Sequence, residues 1–215
     1  MITEFTKTNS VLTSFMREIR DISIQNDSMR FRRNIERIGE IMAYELSKTL
    51  NFSTQKITTP LESKSVTTIN DELVIATILR AGLPLHNGVL NYFDQAESCF
   101  ISAYRKHESE EEFEVEIEYL SSPSLEGKTL ILCDPMLATG SSMILAYKAA
   151  LKNGTPKKIH ILSVVAAPEG LKAITEFFPE NTDFWIGEID SHLNSKSYIV
   201  PGLGDAGDLT YGPKL

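Results

Sequence analysis

The sequence predicts an α/β fold with a largely parallel central sheet, and three observations carry that expectation. Apolar runs at 73–79, 99–103, 129–133, 159–166 and 184–189 have strand length without polar alternation, the pattern of strands buried on both faces. Helical patterns at about 84–92, 141–152 and 168–177 separate several of them. The stretch around 113–119 instead has a period of two, the mark of a half-exposed strand leaving the main sheet as an antiparallel arm.

In chain order, the first element is an N-terminal helical segment, about 15–50. Phe31, Ile35, Ile38, Met42 and Leu46 recur at steps of three and four, and Asp27 or Ser28 stands where a helix cap belongs. Arg17, Arg20, Arg30, Arg32, Arg33 and Arg37 occupy its exposed face and the residues before it. They read first as a solvated, ion-paired surface, and alternatively as an interface or basic site for an anionic effector. The run at 73–79 then ends on Arg80-Ala81-Gly82, with Pro84 placed for the first turn of a helix. An arginine at the carboxyl end of a strand, beside small residues, suits a phosphate group, and Arg105 closes the next strand in the same way. The arm follows at about 103–120, where Phe113, Val115, Ile117 and Tyr119 alternate with Glu114, Glu116 and Glu118.

The strand at 129–133 leads into the loop Asp134-Pro135-Met136-Leu137-Ala138-Thr139-Gly140-Ser141-Ser142, which opens a helix. Ligands in open parallel sheets bind beyond the carboxyl ends of strands, so this position matters. The small residues from Ala138 on let backbone N–H groups converge, Thr139, Ser141 and Ser142 add hydroxyls, and the helix start adds partial positive charge. That is a cradle sized for a phosphate, with Asp134 able to accept from sugar hydroxyls. It lacks the Gly-Lys-Ser/Thr ending of a Walker loop. A literal G-x-G-x-x-G at Gly202–Gly207 has only eight residues after it, so no βαβ crossover can follow and the dinucleotide reading fails. What remains is a glycine-rich segment whose backbone can approach a flat ligand closely.

Composition bounds the rest. With 215 residues and 42% hydrophobic content the chain can bury the core of a single domain, residues 1–215. It has no apolar stretch near the ~18 residues of a membrane span and no signal-peptide pattern at its start. The formal charge is −8, but Glu108, Glu110, Glu111, Glu112, Glu114, Glu116 and Glu118 account for nearly all of it; without them it is −1. A nucleic-acid-coating surface does not fit that balance. Cys99 and Cys133 sit in apolar surroundings and read as buried, reduced thiols, while His86, His107, His160 and His192 lack metal-ligand spacing.

Five segments together resemble uracil phosphoribosyltransferase: ILRAGL at 78–83, AYR at 103–105, DPMLATGSS at 134–142, VAAPEG at 165–170 and YIVPGLGDAGD at 198–208. The resemblance spans about residues 15–212. It implies a type I phosphoribosyltransferase fold and the transfer of phosphoribose from 5-phosphoribosyl diphosphate to uracil, giving UMP and diphosphate. It implies that the 134–142 loop holds the 5-phosphate, with Asp134 facing the ribose hydroxyls, and that Arg80 and Arg105 bind the diphosphate. The backbone of Ile199, Gly204, Asp205 and Ala206 would read uracil, with Asp205 also organising the donor and its Mg²⁺ through water. The Glu-rich arm corresponds to the family's flexible hairpin. A cytoplasmic homo-oligomer, at least a dimer, and GTP activation in some members are likewise implied; no side chain stands out as a general base. The sequence departs from the usual pattern at Ser141, Pro84, Asn87 and Leu209. A non-catalytic nucleotide sensor on the same fold is the competing reading, disfavoured by the retained arginines and phosphate loop.

Overall fold

The computed structural model describes residues 1–107 and 113–213, and the side chains of these except 103–107 and 113–117. The strands are β1 (Ile2–Glu4), β2 (Phe52–Thr58), β3 (Ser63–Ile69), β4 (Leu73–Leu79), β5 (Glu97–His107), β6 (Phe113–Ser121), β7 (Thr129–Cys133), β8 (Met136–Leu137), β9 (Lys158–Ala166), β10 (Thr182–Ile189), β11 (His192–Leu193) and β12 (Ile199–Val200). The α-helices are α1 (Val11–Arg20), α2 (Ser28–Ser47), α3 (Leu83–Leu90), α4 (Ser141–Ala150), α5 (Pro168–Phe177) and α6 (Ala206–Tyr211).

The main sheet has the order β1-β10-β9-β7-β4-β5-β6, with β8 pairing to β9. Every pairing in it is parallel except β5 with β6. Each residue of β7 is buried, and its side chains alternate between two cores. Ile131 and Cys133 join Leu12, Met16, Ile19 and the inward face of α2 on one side. Leu130 and Leu132 join Met143 and Ala146 of α4 and Ile174 of α5 on the other. Helices on both faces explain why these strands read as continuous apolar runs.

The N-terminal helical segment is two helices, and begins earlier than the sequence reading placed it. Ser10 caps α1 by accepting from Leu12 N, and Asp27 caps α2 by accepting from Met29 N and Arg30 N. The α1–α2 arginines are largely committed within the chain. Arg20 pairs with Glu188 and Asp190, Arg30 with Glu18, and Arg33 with Glu36 and Glu40. Arg32 donates to Thr210 O, and Arg37 donates to Asn34 while its guanidinium lies 5.2 Å from the centre of the Phe15 ring. The ion-paired reading therefore describes this surface.

Two features of the sheet edge differ from expectation. β5 continues to His107, so Arg105 lies within a strand, paired opposite Val115, and does not end one; its side chain is outside the described residues. A register shift between Ser102 and Ala103 passes over Glu118, so the alternation is broken there. Tyr119, expected on the apolar face, is 55% exposed, and Leu120 packs inward in its place. Residues 108–112 of the Glu-rich arm are outside the described residues. The hairpin of β2 and β3, which the sequence reading did not anticipate, stands apart from the main sheet. Both cysteines are buried and free. Among the described residues no helix is long and apolar enough to cross a membrane.

Candidate active site

The carboxyl ends of β4, β7 and β10 carry the loops that the sequence singled out. Beyond β7, Asp134 Oδ1 accepts from Met136 N at 3.3 Å, turning the chain. Residues 134, 136–140, 142 and 143 then line a hollow of about 30 Å³. Gly140 closes it at φ +83°, a left-handed conformation that any side chain would strain, and it is the N-cap of α4. Gly140 offers no side chain to cap this helix and no acidic residue stands in its first turn, an arrangement suited to an anion. Thr139 Oγ1 donates to Ser141 Oγ at 3.1 Å and accepts from Ser141 N at 3.4 Å, which folds the two hydroxyls into the rim. Serine in place of the family's usual glycine at 141 thus fits the turn.

The loop rests on α5. A Cβ on Gly170 would sit 2.1 Å from Ala138 O, so only glycine lets α5 approach this closely. Glu169, one residue earlier, accepts from Leu193 N at 3.0 Å, which holds its carboxyl below the usual carboxylate range. It thereby ties α5 to the short β11–β12 ribbon that carries Ile199. The VAAPEG segment was legible as a motif, but its supporting role was not.

Arg80 lies at the end of β4, as expected, and its guanidinium is turned onto the C-terminal segment. Nη2 donates to Gly212 O at 3.0 Å and is 3.7 Å from Asp208 Oδ1, with the side chain 40% exposed. The Leu79–Arg80 and Val200–Pro201 peptides are cis. Arg80 therefore reaches the same segment that carries the expected base-reading residues. Leu209, where the family often has a basic residue, packs against the core on the α2 side. Carbonyls at this end of α6 receive their cationic donors from Arg32 and Arg80 instead.

Ile199, Leu203 and Ala206 are buried in the α2-side core, and Met136 and Ala138 of the loop pack against that same core. Gly204 and Asp205 are exposed, and the space around Gly204 is open to 4 Å. Asp205 caps α6 by accepting from Asp208 N. Residues that sequence reading missed hold this segment from below: Arg20, Gln25, Glu188 and Asp190. Among the described residues no group of three or more His, Cys, Asp or Glu is arranged to hold a metal ion. His86 and His160 are buried, and desolvation lowers each to about 4, so they are neutral core residues outside the site.

The chain that carries this loop, Arg80 and the glycine-rich segment is matched by known proteins across nearly its whole length. The family model described as uracil phosphoribosyltransferase matches residues 6–213. A protein of that name from Porphyromonas gingivalis is 55% identical over 207 residues, covering 96% of each chain. One from Thermococcus gammatolerans is 40% identical, covering 95% of this chain and 90% of its own. A solved protein of Aquifex aeolicus superposes with a TM-score of 0.88 at 33% identity, covering 99% of this chain and 98% of its own. A hypoxanthine phosphoribosyltransferase of Staphylococcus aureus, at 17% identity and a TM-score of 0.50, shares the fold alone. The family model and the full-length relatives agree, and the chain belongs to the uracil phosphoribosyltransferase family.

Proposed function

We propose that this chain is a pyrimidine-salvage transferase that moves the phosphoribosyl group of 5-phosphoribosyl diphosphate onto N1 of uracil, giving UMP and diphosphate, and that residues 1–215 act as one domain. The observation that carries the reading is the start of α4 at Gly140, with no N-cap side chain and no acidic residue in its first turn, behind a loop whose Met136 and Ala138 pack against the same core cluster as the base segment. Backbone N–H groups of 138–142 would hold the 5-phosphate, and Asp134 would face the ribose hydroxyls. Uracil presents an acceptor O4 and a donor N3–H. The backbone of Ile199 and Gly204–Ala206 would match that edge and leave polar groups unpaired against cytosine, which reverses it.

Substitution at the anomeric carbon passes through a cation-like sugar and expels a highly charged leaving group. Arg80, and Arg105 from β5, would neutralise charge on the diphosphate; to do so, Arg80 exchanges Gly212 O and Asp208 for phosphate oxygens. Holding N1 against the sugar carbon supplies the proximity term. Mg²⁺ would enter this site as an ion carried by the donor's diphosphate, with the exposed Asp205 carboxylate reaching it through water. When bound, it supplies further neutralisation of the leaving group. The Glu-rich arm would cover the bound substrates.

The chain would work as a cytoplasmic homo-oligomer. Support comes from the β2–β3 hairpin, whose Leu61 is 96% exposed and whose Phe52 is 50% exposed. An isolated two-stranded ribbon is marginal in water, so a second copy is its natural cover. GTP activation is a separate proposal, with the arginine-rich N-terminal region, where Arg30 and Arg33 are about half exposed, as its candidate site. The non-catalytic alternative gains no support from relatives that are named as the enzyme.

The test is turnover by purified protein with Mg²⁺, the phosphoribosyl donor and uracil, read as UMP and diphosphate. Turnover with hypoxanthine or orotate and none with uracil would overturn the substrate assignment. Arg105→Ala is expected to lower kcat by about 10²–10³, the range for losing one charge-stabilising donor, with the fold intact. Unchanged kinetics would remove Arg105 from the site. Light scattering with and without GTP measures the oligomer and the effector together with activity.

A further inference from the structure

In the exposed part of the base segment Gly204 stands in open space, and Asp205 is held by the start of α6 that it caps. The residues just before it are pinned. Gly202 stands at φ +62°, its N–H donates to Asp190 Oδ2 at 2.9 Å, and its carbonyl accepts from Arg20 Nη1 at 2.8 Å. Both backbone groups of one residue are thus held by a single ion pair. That pair is two-pronged, with Arg20 Nη1 to Asp190 Oδ2 and Nη2 to Asp190 Oδ1, each at 2.9 Å. Arg20 Nη2 also donates to Glu188 Oε2 at 2.9 Å. The side chains of Arg20 and Asp190 are 17% and 4% exposed, so the arrangement is shielded from water and screened little. One turn further on, Gln25 Nε2 donates to Leu203 O at 3.1 Å and to Ile19 O at 2.9 Å.

We propose that Arg20, at the last turn of α1, is a positioning residue for uracil. It acts through Asp190 and Gly202 to set the height and angle of the 204–206 backbone, with Gln25 as a second anchor. The proposal rests on the reading that this backbone contacts the base. The planar guanidinium is what the geometry demands. One side chain must bridge a carboxylate with two parallel bonds and reach a carbonyl at the same time, which a lysine ammonium cannot do. Arg20 hydrogen-bonds to Asp190, Glu188 and Gly202 and not to the 134–142 loop, so its effect falls first on the base and reaches the phosphoribosyl donor only through Asp205.

The experiment is steady-state kinetics of Arg20→Lys and Gln25→Leu with each substrate varied in turn, alongside thermal melting. Displacement of a reacting group by ~1 Å costs ~100-fold. On that scale the uracil KM of Arg20→Lys is expected to rise at least about tenfold and that of Gln25→Leu about threefold, while the donor KM, touched only through Asp205, rises several-fold less. Uracil KM unchanged in Arg20→Lys, or a donor KM that rises as much as the uracil KM, would overturn the positioning role. If Arg20→Lys does not fold, Gln25→Leu decides by the same split. Gly204→Val separates this proposal from the reading beneath it. If it raises the uracil KM and Arg20→Lys does not, only the role of Arg20 fails. If neither changes it, the base-site assignment fails.

Discussion

His86 and His160 show how a residue type associated with catalysis can belong wholly to the core. His160 accepts from Trp185 Nε1 at 3.2 Å, and His86 meets Ser98 Oγ at 3.2 Å under the Phe100 ring. Desolvation lowers both to about 4 from an ordinary 6.5. Between those values the unfolded chain binds more protons than the folded one, so stability is full above about pH 6.5 and declines as pH falls towards 4. At pH 5 each histidine is expected to cost about 2 kcal/mol relative to pH 7. Urea unfolding at the two pH values measures this, and replacing both with asparagine should flatten the dependence; an unchanged slope would contradict the assignment. At this scale the turn at 134–142 that opens α4 was legible because its pattern is local to nine consecutive positions. Arg20 was not, because its partners lie about 170 residues away, with |i−j| of 170 to Asp190 and 182 to Gly202.

Among elements, α5 matters for what it leaves empty. Gly170→Ala would place a methyl 2.1 Å from Ala138 O, and either α5 or the loop must shift. A shift near 1 Å predicts about a 100-fold loss in kcat/KM for the phosphoribosyl donor, with about 1–3 kcal/mol of overpacking cost to stability. Kinetics with the donor varied, beside a melting curve, checks both numbers, and wild-type donor kinetics would remove α5 from the loop's support. The parallel strands β4, β7, β9 and β10 were legible because burial on both faces leaves unbroken apolar runs. The β2–β3 hairpin was not, because FSTQKIT and SKSVTTI are polar on both faces and carry no period. The α1 helix had its signal in Leu12, Met16 and Ile19, all fully or nearly buried, and went unread because the reading began at the stronger pattern after Asp27. The arm's phase was misread at Tyr119 because a one-residue register shift leaves no trace in alternation.

For the whole molecule, a charge of −8 misdescribes how the substrate is met. Seven of the carboxylates lie between 108 and 118, while the sheet edge gathers an uncapped helix start, Arg80 and a neutral backbone segment. The central claim is that these local devices together hold a phosphoribosyl group and a uracil at one edge of the sheet. A crystal structure of the enzyme with UMP tests it most directly. The 5′-phosphate is predicted within hydrogen-bonding distance of the N–H groups of 138–142, and the O4 and N3 edge of uracil against the backbone of Ile199 and 204–206. A phosphate seated away from the 134–142 loop, or a base lying clear of 199–206, would contradict the account.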